Sequence, residues 1–201
     1  MNDWFGPAFG DTRIMAILRG YGPRRTVELA ERGWDLGIRC LEVPLQSEES
    51  SRSLKATIDA ARERQLPVGA GTIITVEGVH AAHALGAAFT VAPGFDPDIL
   101  RASSELGMPH LPGVATPSDI QRALALGLRW VKAFPASELG TGWFKAMRGP
   151  FPHIAFVATG GMNVTNASAF LNAGADVIAL GSALANEDEM RALRHLPGAG
   201  V

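Results

Sequence analysis

A lysine stands in the middle of a short apolar run, and two other charged residues stand in similar runs elsewhere. Lys132 lies in "LRWVKAFP" (128–135), Glu42 in "CLEVP" (40–44) and Arg19 in "AILRG" (16–20). An isolated buried charge is strongly unfavourable, so these groups must be paired, neutralised or open to a polar cavity. An amine in such surroundings can attack a carbonyl carbon and form a Schiff base, while a nearby carboxylate carries protons.

The three charges have a plainer alternative interpretation, a structural ion pair. Period-two alternation puts Lys132 on the same face as Phe134, and Glu42 on the same face as Cys40. A second cation beside Lys132 would disfavour the ammonium form, and Arg19 fills that role only if it lies close by. Ionisable groups on three separate strands favour one reactive site, with Lys132 as the nucleophile and Glu42 as the proton shuttle.

Two glycine-containing segments, "TGGMN" (159–163) and "LGSALAN" (180–186), each lie between a predicted strand and a predicted helix. Glycine lets backbone amides approach an anion, and the start of a helix favours negative charge. In barrel enzymes the loops after the seventh and eighth strands often bind phosphate. We therefore expect a phosphate site here, the alternative being two tight turns; its residues are Gly160, Gly161, Gly181 and Ser182.

Several other residues are weaker candidates for chemistry. His80 and His83 are three residues apart on a predicted outer helix, without a third metal ligand, and we assign them to the surface. His110 lies on a predicted strand as a core or rim histidine. Asp176 begins the last strand at the opposite rim and is structural, while Cys40 is a small core residue.

A recurrent pattern organises the whole chain: a helix ends near glycine, and a short apolar strand follows. The clearest copies lie at 36–44, 85–94, 106–113, 126–135 and 173–182. Three more strands are predicted at 13–20, 66–72 and 153–161. The sixth strand carries Lys132, and the third ends in "GAGT" with Thr72 at its carboxyl end.

Helices are predicted between these strands, because capping residues stand at suitable places. Pro23 opens 23–36, Thr75 caps 76–85, Thr116 and Pro117 stand before 118–126, and Asn163 precedes 164–173. Eight alternating units whose strands are apolar on both faces predict a closed (β/α)8 TIM barrel of the α/β class. Active sites of such barrels lie at the carboxyl ends of the strands, where the charged residues above are expected to meet.

The composition fits one globular domain over residues 1–201, with an N-terminal extension at 1–12 and a disordered tail expected at 196–201. A net charge of −2 gives no basic surface for nucleic acid or anionic membrane, so we expect small-molecule or protein partners. The single cysteine excludes an internal disulfide. Without a signal-like N-terminus or a membrane-length apolar stretch, the expected location is the cytoplasm.

Eight segments together resemble one known family. They are "AILRG" (16–20), "LEVPLQS" (41–47), "GAGT" (69–72), "VAPGF" (91–95), "LPGVATPSD" (111–119), "VKAFPAS" (131–137), "ATGGMN" (158–163) and "IALGSAL" (178–184). Their order and spacing resemble the class I aldolases that cleave 2-keto-3-deoxy-6-phosphosugar acids, the KDPG/KHG aldolase family. The resemblance runs from about residue 13 to 186.

The resemblance implies specific roles for the residues at the matching positions. Lys132 would be the Schiff-base lysine and Glu42 the general acid and base. Arg19 and Thr72 would hold the pyruvyl end of the substrate, and Gly160, Gly161, Gly181 and Ser182 would bind its phosphate. It also implies a homotrimer that needs no metal and no cofactor.

Within the family, the resemblance favours the branch that acts on 2-dehydro-3-deoxy-6-phosphogalactonate. The gluconate branch typically has "EVTLRT" after the strand-two glutamate, whereas this chain has Pro44 and Gln46 there, together with Arg19 on strand one. A gluconate-type or 4-hydroxy-2-oxoglutarate aldolase remains the alternative. Rivals of other classes are a phosphate-binding-barrel isomerase or synthase, and a phosphosugar-binding protein without catalysis.

Overall fold

The computed structural model describes residues 3–194, which form a parallel sheet curled into a barrel and surrounded by helices. The strands are β1 Ile14–Ile17, β2 Cys40–Pro44, β3 Val68–Gly71, β4 Phe89–Val91, β5 His110–Leu111, β6 Gly113–Val114, β7 Trp130–Ala133, β8 Ala155–Thr159 and β9 Val177–Leu180. The helices are α1 Phe5–Phe9, α2 Pro23–Asp35, α3 Glu48–Arg64, α4 Val76–Leu85, α5 Pro97–Glu105, α6 Pro117–Ala125, α7 Ala136–Arg148, α8 Ala167–Ala173 and α9 Glu187–Leu193, with a 3₁₀ helix at Ala183–Ala185. The predicted tail at 196–201 lies outside the described residues.

The strand order confirms the predicted barrel. Neighbouring strands pair in parallel in the order β5-β4-β3-β2-β1-β9-β8-β7-β6. The two edge strands, β5 and β6, are consecutive in the chain with only Pro112 between them, so the edges of the sheet meet. This nearly closed arrangement is the (β/α)8 barrel that the alternating pattern predicts.

The fifth predicted strand is where the structure differs from the sequence interpretation, because it is broken into β5 and β6. Pro112 has no N–H to donate to a neighbouring strand, although its carbonyl accepts a hydrogen bond from the Lys132 amide at 2.8 Å. Gly113 lies so close to the preceding loop that an added Cβ would stand 2.0 Å from the Pro93 carbonyl oxygen. The barrel therefore has eight strand positions, one of which is shared by two short strands.

The N-terminal extension contains a helix that covers the amino-terminal end of the barrel. Phe5 and Phe9 of α1 are buried, with ring centroids 5.6 Å from Phe89 and 5.1 Å from Trp130, respectively. Phe89 and Trp130 are the first residues of β4 and β7, so α1 packs against the strand starts. Burial of aromatic surface explains this placement.

The helix boundaries confirm most of the capping predictions. Thr75 and Thr116 accept hydrogen bonds from the amides of the third residues of α4 and α6, and Pro23 begins α2. Asn163 accepts hydrogen bonds from the amides of residues 165 and 166, as a capping residue does. The predicted helix start at 164 is nevertheless wrong, because residues 164–166 form a turn and α8 begins at Ala167. Within residues 3–194, no helix has both the length and the apolar character needed to cross a bilayer.

Candidate active site

Lys132 and Glu42 meet inside the barrel. Lys132 Nζ lies 3.9 Å from Glu42 Oε1, and the two side chains are 5% and 1% exposed. Trp130 and Cys40 belong to or pack against the apolar cluster that fills the barrel interior. Lys132 and Glu42 each come two positions later on the same strand, so their side chains point to the same interior face. The Phe134 ring, on the same face as Lys132, lies 5.2 Å from Nζ. The predicted meeting of lysine and carboxylate is therefore present in the structure.

The Glu42 carboxylate is buried, without a hydrogen-bond donor in the part of the chain that the structure describes. Neither Oε1 nor Oε2 has a hydrogen-bond partner among the described residues, and Lys132 at 3.9 Å is beyond hydrogen-bonding distance. Gly71 provides the space for this carboxylate, because an added Cβ would lie 2.9 Å from its oxygen. A buried polar group left unpartnered is destabilising, and such groups in native proteins often serve a reaction.

Arg19 and Thr72 lie together at the carboxyl ends of β1 and β3. Arg19 donates from one terminal nitrogen to Thr72 Oγ1 at 3.1 Å and from the other to Gln46 Oε1 at 2.6 Å. Arg19 is exposed at the rim, whereas the Lys132 side chain is buried. The charged group that the structure places beside Lys132 is Glu42.

Thr72 has a backbone conformation that threonine rarely adopts. Its φ of 59° lies in the left-handed region, where a β-branched side chain is strained. Strain of this kind persists where the surrounding structure holds the residue, and it is commonly found at functional sites. In this conformation Thr72 Oγ1 accepts the hydrogen bond from Arg19.

Gly160 and Gly161 form a tight turn directly after β8. Their φ values are 94° and 70°, and an added Cβ on Gly161 would lie 2.2 Å from Ser137 Oγ. The Gly160 carbonyl accepts a hydrogen bond from the Ser137 amide at 3.0 Å. These glycines therefore have a structural reason to be present, in addition to the anion-binding role predicted for them.

Gly181 and Ser182 follow β9 in a more open segment. An added Cβ on Gly181 would meet no heavy atom of residues 3–194 within 4 Å, and Ser182 is exposed. The helix after the first glycine loop is shorter than the predicted 164–173, because α8 starts only at Ala167, and after the second loop Ser182 leads into a three-residue 3₁₀ helix. An anion bound in this region would therefore be held by backbone N–H groups and not by the dipole of a long helix.

The weaker candidates lie away from this rim. His80 and His83 are exposed on α4, and the Asp176 carboxylate accepts hydrogen bonds from Arg148 and from the Phe156 amide. Burial, with a smaller contribution from Glu42, raises the pKa of the Cys40 thiol well above its usual range. Cys40 is therefore the small neutral core residue that the sequence predicts.

His110 is a core histidine, but it belongs to a hydrogen-bond chain outside the barrel interior. Its Nδ1 lies 2.7 Å from Thr90 Oγ1, which lies 2.7 Å from Ser103 Oγ, which donates to the Met108 carbonyl. Because Ser103 gives its proton to Met108, Thr90 donates to Ser103 and accepts from His110 Nδ1–H. Burial lowers the pKa of His110 to about 4.

Gln46 is the site residue whose contact the sequence interpretation missed. In the sequence, Gln46 is only a departure from the arginine that is typical of the gluconate branch. Its hydrogen bond to Arg19 joins residues 27 positions apart, so no local pattern reveals it. The signal available in the sequence was its position: Gln46 is a polar residue two positions after the carboxyl end of β2, at the rim where active sites of barrels lie.

The fold and the site define a class: a parallel (β/α)8 barrel with a buried amine and carboxylate near the carboxyl ends of its strands, suited to chemistry on a carbonyl carbon. The profile of the family described as KDPG and KHG aldolase matches residues 8–194. This chain belongs to the KDPG and KHG aldolase family, whose members are carbon–carbon lyases.

Individual relatives agree with this membership. The chain is 38% identical to the 2-dehydro-3-deoxy-phosphogluconate aldolase of Treponema pallidum over 136 residues, 67% of this chain but only 64% of that protein. It is 33% identical to the 2-dehydro-3-deoxy-6-phosphogalactonate aldolase of Escherichia coli K12, covering 85% of this chain and 83% of that protein. A solved KDPG aldolase of Legionella pneumophila, with pyruvate captured as a covalent carbinolamine intermediate, superposes with a TM-score of 0.81 at 30% identity, covering 92% of this chain and 89% of that one.

Proposed function

We propose that this protein is a class I aldolase that reversibly cleaves 2-dehydro-3-deoxy-6-phosphogalactonate to pyruvate and glyceraldehyde 3-phosphate. The observation that carries the proposal is the buried pair of Lys132 and Glu42, 3.9 Å apart within the barrel, in which the carboxyl group of Glu42 accepts no hydrogen bond from residues 3–194. A purely structural ion pair is expected to have its carboxylate oxygens hydrogen-bonded, because an unsatisfied buried charge is destabilising. A carboxylate kept free beside an amine is instead available to move protons.

The reaction begins when the neutral Lys132 amine attacks the C2 ketone of the substrate. The resulting carbinolamine loses water to give a protonated imine, which accepts electrons as the C3–C4 bond breaks. Glu42, directly or through a water molecule, takes the proton of the C4 hydroxyl, and glyceraldehyde 3-phosphate leaves. Glu42 then returns a proton to the enamine, and hydrolysis of the imine releases pyruvate. The carbinolamine captured in the Legionella relative supports this chemistry.

Arg19 and Thr72 are proposed to bind the carboxylate at the pyruvyl end. A guanidinium offers paired N–H donors whose geometry suits a carboxylate. Arg19 is exposed at the rim of the barrel, and Thr72 is held beside it by the hydrogen bond of 3.1 Å.

The substrate phosphate is proposed to lie against the loops that follow β8 and β9. A Cβ added to Gly181 would meet no heavy atom of the described residues within 4 Å, so the space on that side of the residue is open. Glycine loops in these two positions commonly bind phosphate in barrel enzymes. The phosphate ligands would be the backbone amides of Gly160, Gly161, Gly181 and Ser182, with the Ser182 hydroxyl.

Preference for the galactonate epimer over the gluconate epimer rests on Pro44 and Gln46. The relatives are named as aldolases for either substrate, at similar identity to this chain. Gln46 occupies the position where the gluconate branch typically has an arginine, and its side chain accepts a hydrogen bond from Arg19. Steady-state rates on the two epimers test this assignment: a clear preference for the galactonate supports it, and equal or reversed preference refutes it.

The assembly is proposed to be a homotrimer. A designed protein cage made by fusing symmetric oligomeric domains superposes on this chain with a TM-score of 0.82 at 29% identity, over 71% of its own length. Light scattering coupled to size-exclusion chromatography tests the proposal, and a mass of one or two chains would contradict it.

Borohydride reduction in the presence of pyruvate is the decisive test of the mechanism. We expect a stable adduct with a mass increase of about 72 Da, located by peptide mapping on Lys132. Lys132→Met should abolish the adduct, whereas Lys145→Met, which removes an exposed lysine of α7, should not. An unmodified wild-type chain under conditions that trap a known class I aldolase would refute the proposal. The phosphate-binding-barrel isomerase or synthase would then be the function to test.

A further inference from the structure

Arg19 is held in place by two neutral oxygen atoms. Its terminal nitrogens donate to Gln46 Oε1 at 2.6 Å and to Thr72 Oγ1 at 3.1 Å. Within residues 3–194, no carboxylate lies within 4.0 Å of its guanidinium, although most other arginines in this part of the chain have such a partner. The orientation of Arg19 is therefore fixed while its positive charge is not neutralised.

The direction of the Gln46 amide follows from the chemistry of arginine. Because a guanidinium has only donors, Gln46 must turn its carbonyl oxygen towards Arg19, and its NH₂ group then faces away from the guanidinium. A glutamate in this position would accept the same hydrogen bond, but it would also neutralise Arg19 and place a negative charge beside any incoming anion. The neutral amide thus fixes the arginine without competing for its charge.

The backbone of Gln46 is itself held by the first turn of α3. Its N–H donates to Ser50 Oγ at 2.9 Å, within the capping box that Ser47 and Ser50 form. The preceding residue, Leu45, donates its N–H to the Gly71 carbonyl at 2.9 Å, which links the end of β2 to β3. Gln46 is therefore attached to a rigid element rather than to a free loop.

We propose that Gln46 is a positioning residue, which holds the Arg19 guanidinium in the orientation that binds the carboxylate of the keto acid, and that its neutrality keeps that charge available. The proposal rests on the proposed function, since it requires Arg19 to bind the substrate carboxylate. Gln46 acts through Arg19, so its effect must disappear when Arg19 is removed.

The test is the dependence of borohydride trapping on pyruvate concentration. Gln46→Met keeps the length of the side chain but removes the acceptor, and it should raise the half-saturating pyruvate concentration about tenfold, as loss of one hydrogen bond to a charged group does. Gln46→Glu should raise it further, by at least about thirtyfold, because a carboxylate then neutralises Arg19. Gln121→Glu, which adds the same charge on exposed α6, should leave it unchanged.

A double-mutant cycle with Arg19→Met separates positioning from a general structural effect. If Gln46 acts through Arg19, the double variant Arg19→Met, Gln46→Met should match Arg19→Met alone within about twofold. Independent, additive effects would overturn the proposal, as would a Gln46→Glu variant that traps pyruvate as well as the wild type. Unfolding midpoints of all variants in urea identify any that fail to fold, and Gln46→Asn then replaces them.

Failure of this inference differs from failure of the proposed function. If the wild type forms no adduct on Lys132, the aldolase mechanism is wrong. If the wild type forms the adduct and Gln46→Met has the wild-type pyruvate dependence, the mechanism stands and the positioning role of Gln46 is wrong.

Discussion

The interior of the barrel has two ends that are built from opposite kinds of side chain. At the amino-terminal end, α1 places Phe5 and Phe9 against the first residues of two strands, with ring centroids 5.6 and 5.1 Å apart. At the carboxyl end, Lys132 and Glu42 are equally buried but are ionisable, and the Glu42 carboxyl group has no hydrogen-bond donor among residues 3–194. Burial at the first end contributes stability, whereas burial at the second reduces stability and creates reactivity.

The position of Cys40 and Glu42 on one strand shows how short the distance is between the two environments. Both residues lie on the interior face of β2, two positions apart, and both are buried. Burial and the nearby carboxylate keep Cys40 a neutral thiol, so the amino-terminal end carries no charge there. Two positions further along the same face of β2, the side chain changes from the packed thiol of Cys40 to the reactive carboxyl group of Glu42.

The largest effect is expected from Glu42→Gln at the reactive end. The amide keeps the shape of the carboxylate but cannot accept and return a proton, so cleavage should slow on the order of 10⁴-fold, the upper range for a general acid–base residue. Steady-state cleavage coupled to detection of pyruvate measures the loss. Glu63→Gln, an exposed residue of α3, is the control. A rate within tenfold of the wild type would remove Glu42 from the mechanism.

Phe9→Ala tests the opposite end of the barrel. Phe9 is 2% exposed, and its truncation should lower the free energy of unfolding by about 4 kcal/mol, as for other large core aromatics. Denaturation in urea measures this change. The cleavage rate per folded molecule should remain near the wild-type rate, because α1 lies at the end away from Lys132. A large loss of rate without loss of stability would show that the two ends are not separate in function.

Much of this contrast could be predicted from the sequence. The alternation of glycine and short apolar runs predicts the barrel, and period two predicts which residues share a face with Lys132 and with Glu42. The role of α1 could not be predicted, because "FGPAF" spans five residues and shows no helical periodicity. The break at Pro112, the left-handed Thr72 and the bond between Gln46 and Arg19 depend on contacts between distant segments, which local patterns do not contain.

His110 provides a third test, because it adds a titrating group to the stabilising part of the molecule. Burial lowers the pKa of His110 from 6.5 to about 4, so the unfolded chain binds a proton in this range and the folded chain does not. Stability should therefore fall as pH drops from 6.5 to 4, by about 3 kcal/mol from this residue.

Comparison with His110→Gln isolates that contribution. The amide retains a donor for Thr90 but does not titrate, so the variant should lose less stability than the wild type between pH 6.5 and 4. Urea denaturation at several pH values gives both profiles. Parallel profiles would mean that groups other than His110 cause the acid sensitivity.

The smallest expected effect is a change in the free energy of unfolding when the carboxyl end of the barrel is made apolar like the amino-terminal end. The double variant Lys132→Met, Glu42→Leu replaces both charges with apolar groups of similar size, and it should be more stable than the wild type by about 2 kcal/mol, since buried ion pairs rarely repay their desolvation. Lys132→Met alone leaves the carboxylate buried without a counter-charge, and it should be less stable than the wild type. Both free energies come from urea denaturation at neutral pH. A double variant less stable than the wild type would mean that the pair contributes to folding as well as to chemistry, and that the carboxyl end of the barrel is built for stability like its amino-terminal end.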